Sequence, residues 1–249
     1  MAHPSLLVVF LLVWARIGGA IMAAPIFSER AIPMLVKAGL SAAIAGILTP
    51  AQMTVAGPIS SDPASFVVLL GEQILLGLAF ALVFVVVYRA AEAAGELIGQ
   101  QMGVTLGMWM GGDGDNQMHS IGQLYHIVAS LIFLALDGQH WVILGLGASL
   151  NAMPVTHVTL AHNLVNTLMS LGTAAVMFAV GLALPLLVTL LLADIITGLI
   201  GRSIPALNLF VIGLPLKVAL AVAGLIIAAP FTVALLSQYL LRLPTIRLW

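Results

Sequence analysis

The 249-residue chain predicts an all-α, polytopic, membrane-type protein, and three observations carry that prediction. First, 62% of the residues are hydrophobic and only 7% are charged, whereas a soluble domain carries about 25% charged residues. Second, the apolar residues gather into six segments, each long enough for the roughly 20 residues that a bilayer core requires. Third, the backbone in lipid must satisfy its own hydrogen bonds, which makes helices the default for such segments. About six apolar helical segments are therefore expected, several of them broken.

The first segment, Ser5–Ala24, carries Arg16 inside its apolar run. Met1-Ala2-His3-Pro4 ahead of it lacks the positive region of a signal peptide, so the segment is expected to stay as a first helix. Pro25 and Pro33 punctuate the next connection, and Met34–Gly57 follows. Pro50, Pro58 and Pro63 mark the second connection before Ser65–Tyr88. The fourth segment, Leu124–Leu150, is cut by Asp137-Gly138-Gln139-His140, and Asn151 and Pro154 close it. Leu168–Ile200 is the fifth, and Pro205 precedes the sixth, Asn208–Leu241, which contains Pro215, Lys217 and Pro230. A charge at mid-membrane costs about 2.5–3.5 kcal/mol, and such a residue usually faces protein or a watery cavity. Arg16 and Lys217 are thus expected at a subunit contact or a cavity, and the broken segments are expected to pack against other subunits.

Loop cations suggest an orientation. Arg30, Lys37, Arg89 and Arg202 lie at odd-numbered connections, and the second and fourth connections contain no Lys or Arg. An outside N-terminus puts those four in the cytoplasm, although Arg242 and Arg247 in the tail go against it.

Arg89 to Gln123 is the long polar interruption, and Gly95, Gly99, Gly103, Gly107 and Gly111 recur in it at every fourth residue. Residues four apart share one helical face. Glycine in a helix costs about 1 kcal/mol relative to alanine, so five in register point to a packing face for a second backbone. The stripe runs into Met108-Trp109-Met110 and then Gly111-Gly112-Asp113-Gly114-Asp115-Asn116. Methionine and tryptophan commonly mean core packing. Here they stand between a glycine stripe and a glycine-rich loop, outside the apolar segments, where flexible thioethers and one large ring can seal an irregular opening.

Catalytic and metal chemistry find little support. Net charge is −1, which leaves no basic footprint for nucleic acid. Cysteine is absent, which excludes disulfides and a thiolate nucleophile. Asp113-Gly114-Asp115-Asn116 opens like a calcium loop, but Met118 and Leu124 occupy the positions that need glycine and glutamate. His157 and His162 are five apart and off a common helical face, and His119 and His126 have no carboxylate companion, so no metal site is expected. Arg89 stands three residues before Glu92, so Glu92 and Glu96 read as helix-surface ion-pair residues rather than a catalytic pair. No P-loop, dinucleotide fingerprint or Ser-His-Asp arrangement appears, so neither an enzyme nor a cofactor is expected.

Arg16, then Ala24-Pro25-Ile26-Phe27-Ser28-Glu29-Arg30-Ala31-Ile32-Pro33 and Val36-Lys37-Ala38-Gly39-Leu40, resemble the opening of the FliR/SctT family of type III export-gate proteins. Gly71-Glu72-Gln73-Ile74-Leu75-Leu76-Gly77 resembles its next landmark, and Ala94-Gly95-Glu96-Leu97-Ile98-Gly99-Gln100-Gln101-Met102-Gly103 its glycine-rich helix. Asp137-Gly138-Gln139-His140-Trp141 is similar to its Asn-Gly-His turn, with Asp in place of Asn and a shift around the histidine. Pro205-Ala206-Leu207-Asn208-Leu209-Phe210-Val211-Ile212-Gly213-Leu214-Pro215-Leu216-Lys217 resembles its C-terminal signature.

The resemblance implies a subunit of a hetero-oligomeric export gate in the bacterial inner membrane, at the flagellar basal body. It implies hairpins assembled with FliP-type and FliQ-type subunits and a FlhB-type switch subunit, around a path for unfolded export substrates. It also implies a P-subunit-like part over 1–185 and a Q-subunit-like helical hairpin over 186–249. The plug of the closed channel falls on 106–118, where Leu106 and Trp109 take the places of the family's phenylalanines and Met108 and Met110 flank the ring. A solute or ion transporter is the rival from another class. It predicts ionisable pairs and broken helices around one midplane site, related by an inverted repeat that is not visible here.

Overall fold

The computed structural model describes residues 5–29, 31–55, 57, 62–103, 120–156, 163–203 and 209–242. Seven helices occur among them: α1 (Leu6–Ala23), α2 (Met34–Met53), α3 (Pro63–Gln101), α4 (Ser120–Ala135), α5 (Gly138–Ala152), α6 (Asn163–Ser203) and α7 (Leu209–Arg242). Five of them are long and apolar enough to cross a membrane, and α4 with α5 makes a sixth span if the pair counts as one broken span. The chain is a polytopic helical protein of the membrane class, as its hydropathy predicts.

Local chemistry sets the helix ends. The Ser5 hydroxyl accepts from the Val8 amide at 3.4 Å and caps α1. Pro63 opens α3, where a missing N–H costs nothing, and the Asp62 carboxylate accepts from the Ser65 amide at 3.3 Å and the Ser65 hydroxyl at 3.1 Å. α3 does not stop at Tyr88, where the apolar segment ends, but runs through the polar stretch to Gln101. It is closed by Gly103, whose φ of 78° lies in the left-handed region that glycine adopts without penalty. Pro50, expected in a connection, lies inside α2. Pro185 lies inside α6, and Pro215 and Pro230 inside α7, since long apolar helices tolerate proline where freed carbonyls find other donors. The expected interruption of the fourth segment falls at Leu136-Asp137, between α4 and α5, and Asp137 holds φ 56°.

The chain divides into two units interleaved along the sequence. The first comprises 1–86, 137–172 and 241–249. In it α1 and α2 pack together, and the Trp14 indole donates to the Ser41 hydroxyl at 2.9 Å. Its core includes Leu12, Ile17, Phe80, Leu146 and Leu150. Backbones approach closely here: a Cβ on Gly19 would stand 2.8 Å from the Ile74 carbonyl oxygen, and one on Gly77 would overlap the Arg16 carbonyl oxygen.

The second unit comprises 87–136 and 173–240, with the C-terminal part of α3, α4, most of α6 and α7. Tyr88 packs edge-on to Phe133 at 5.9 Å, and Phe178 lies 4.1 Å from the Tyr239 ring. α6 and α7 form an antiparallel hairpin, in which Thr197 meets Gly213, Asp194 meets Lys217 and Leu186 meets Gly224.

Candidate functional site

Three features of these units are candidates for a functional role, and each begins with a residue type out of place in an apolar helix. The first is the glycine face of α3. A Cβ on Gly95 would lie 2.6 Å from the Ile121 carbonyl oxygen and 2.8 Å from the Gly122 Cα. A Cβ on Gly122 would lie 2.9 Å from the Glu96 Cγ and 3.1 Å from the Glu92 carbonyl oxygen. α3 and α4 therefore meet backbone to backbone, the geometry that small residues permit between membrane helices. Gly99 is looser, with the nearest atom, Ile121 Cγ1, at 3.6 Å. Gly103 stands past the helix end. The face at Gly95 is thus filled by a helix of the same chain. Gly107 and Gly111 lie outside the described residues, as do Leu106, Met108, Trp109 and Met110 and the acidic run Asp113–Asn116.

The second feature is a polar cluster joining three helices of the same unit. Lys217 of α7 holds Asp194 of α6 with its ammonium 2.8 Å from both carboxylate oxygens. The Gln101 side-chain amide, on the last residue of α3, donates to the same carboxylate at 2.9 Å. The Asp194 side chain is 45% exposed and that of Lys217 18%. Pairing removes most of the cost of two charges in apolar helices. Lys217, expected at a subunit contact or cavity, has its partner within its own chain. On the polar face of α3, Arg89 and Glu92 form the i,i+3 ion pair their spacing suggests, at 2.8 Å.

The third feature is Arg16, in the other unit, wholly enclosed by its own chain. Its Nε donates to Gln73 Oε1 at 2.7 Å, and its Nη1 donates to the Ser149 carbonyl at 3.1 Å and the Met153 carbonyl at 2.8 Å. The Gln73 amide continues to the Val155 carbonyl at 3.1 Å. Gln52 of α2 donates to the Leu150 carbonyl at 3.1 Å. The Arg16 and Gln52 side chains cap the C-terminal end of α5, where carbonyls concentrate negative partial charge. One guanidinium fork ties α1 to α3 and α5.

Sequence reasoning singled out Arg16 and Lys217 but not Gln73 and Ser149 around the first, nor Asp194 and its second donor Gln101 around the other, nor Gly122 opposite Gly95. One signal was available: Asp194 is the single acidic residue of a 41-residue apolar helix, and Lys217 stands alone in the next helix until Arg242. Two lone opposite charges in consecutive apolar helices are candidates for each other.

The comparisons with known proteins agree in direction. The model of the family described as bacterial export proteins, family 1, matches residues 7–243. The flagellar biosynthetic protein FliR of Pectobacterium carotovorum is 33% identical over 229 residues, which cover 90% of this chain and 87% of that protein. The protein of the same name from Escherichia coli K12 is 31% identical over 227 residues, covering 90% and 86%. That from Bacillus subtilis is 27% identical over 226 residues, covering 88% and 85%.

Proposed function

The chain belongs to the bacterial export proteins, family 1, and from that premise we propose that it is a non-enzymatic subunit of the flagellar type III protein export gate. It helps to form, and at rest to plug, the channel through which unfolded flagellar proteins leave the cell. Its partners are FliP-type and FliQ-type gate subunits and a FlhB-type switch subunit, in the inner membrane at the flagellar basal body. The observation that carries this reading is the family match over nearly the whole chain, from residue 7 to 243.

The helical frame supports it. Five helices have the length and composition of membrane spans, and α6 and α7 form the closed hairpin that the Q-subunit-like part would need, although the boundary at 185/186 falls at Pro185 inside α6. The plug is assigned to 106–118, with Leu106, Met108, Trp109 and Met110 as the obstructing side chains. A narrow ring of large apolar groups dewets and holds back ions, and flanking glycines let the segment move aside when a substrate passes. Gly95, with the looser Gly99 one turn on, serves as the close-packing face of α3, Gly103 ends that helix, and Gly107 and Gly111 are the glycines flanking the obstructing side chains.

The test is a deletion strain. Hook and filament proteins should cease to be exported while solute uptake is intact, and the chain supplied in trans should restore export. Unchanged export with loss of one solute's uptake would make this a transporter instead.

A further inference from the structure

Arg16 is the eleventh of the eighteen residues of α1, and among the described residues every side-chain hydrogen bond it makes is to a residue synthesised long after it. Its partners stand 57, 133 and 137 positions later, at Gln73, Ser149 and Met153. None of these partners is a carboxylate. The cation is received by one side-chain amide, by the Ser149 hydroxyl at 3.4 Å and by carbonyls at the C-terminal end of α5. An arginine near the middle of an isolated span shifts its insertion equilibrium toward the aqueous side by roughly a hundredfold.

We propose that Arg16 makes the stable insertion of α1 conditional on α3 and α5. α1 settles across the membrane only when Gln73 and the Ser149–Met153 turn are in place to receive the guanidinium. Close backbone approach supports the coupling. α3 meets α1 at the arginine's own turn, where Gly77 faces the Arg16 carbonyl and Gly19 faces that of Ile74. The first helix of the chain thereby reports on helices made much later. A copy whose α5 end is misplaced keeps α1 off its transmembrane path and is withheld from assembly.

The absence of cysteine makes the test direct. Leu6→Cys and Ser28→Cys, introduced one at a time into the full-length chain, bracket α1 at exposed positions. Labelling of sealed vesicles with a membrane-impermeant maleimide then reports which face each position occupies. In the parent the two positions should react from opposite faces. Gln73→Leu should raise the same-face fraction by roughly tenfold, the effect of losing one hydrogen bond to a charged group. Adding Arg16→Leu to that variant should return the two positions to opposite faces, because the charge that required Gln73 is gone. Opposite-face labelling of Gln73→Leu at the parental level would overturn the proposal. So would a same-face fraction that Arg16→Leu fails to reduce, since that is a general folding defect and not a charge-dependent one.

Discussion

The Gln101 side-chain amide donates to the Asp194 carboxylate at 2.9 Å, so the last residue of α3 is bonded to the acid that neutralises Lys217. One carboxylate therefore holds the α6–α7 hairpin closed and fixes the end of α3, directly before the stretch assigned to the plug. Asp194→Asn leaves an unpaired ammonium in an apolar helix, and Lys217→Met leaves an unpaired carboxylate. Each single change should destabilise the protein, and the neutral double variant should recover part of the loss. A double-mutant cycle of unfolding in mixed detergent micelles should give a coupling of about 1 kcal/mol, the upper range for a partly exposed pair. Additive losses would mean that the pair contributes nothing as a pair.

Gly95 and Gly99 share one face of α3 but should respond in opposite ways to alanine. The Gly95 Cβ would stand 2.6 Å from the Ile121 carbonyl oxygen, a backbone atom that cannot swing aside. Gly95→Ala should cost about 1–3 kcal/mol as an overpacked contact. Gly99 has its nearest neighbour at 3.6 Å, so Gly99→Ala should be neutral or gain up to about 1 kcal/mol from helix propensity. Thermal stability of the purified complex separates the two.

Arg16→Lys keeps the charge and loses the fork. One ammonium cannot reach Gln73 on α3 and both carbonyls on the α5 side in the geometry that the planar guanidinium uses. At least one bond to a charged group should go, a loss of about 1.5–3 kcal/mol. The yield of folded protein on co-expression with the partner subunits should fall accordingly, and a yield equal to the parent's would show that position 16 needs only a positive charge.

The helices were legible in the sequence because composition and segment length settle them. The break at Asp137 was legible because Asp-Gly-Gln-His interrupts an apolar run. The end of α3 was not placed by hydropathy, since Arg89–Gln101 is polar yet helical, and the marker that ends the helix is Gly103, read from spacing as one more member of a stripe. Arg16 and Lys217 stood out as charges in apolar surroundings. Their receptors did not: Ser149 and Met153 act through backbone carbonyls, which every residue possesses, and Gln73 carries no charge to draw notice. Likewise nothing in a glycine stripe states whether its neighbour is a partner subunit or, as at Gly95, a helix of the same chain.

The central claim is that this chain helps to close an export channel with its own residues. Deleting Gly107–Gly112 removes Met108, Trp109 and Met110 and leaves both flanking helices intact. The direct measurement is ion conductance across membranes that contain the complex assembled with the FliP-type and FliQ-type subunits, parent against deletion, with assembly verified by co-purification. The account predicts an assembled complex that conducts at rest where the parent does not. An assembled deletion complex as tight as the parent would contradict it and place the seal in a partner subunit.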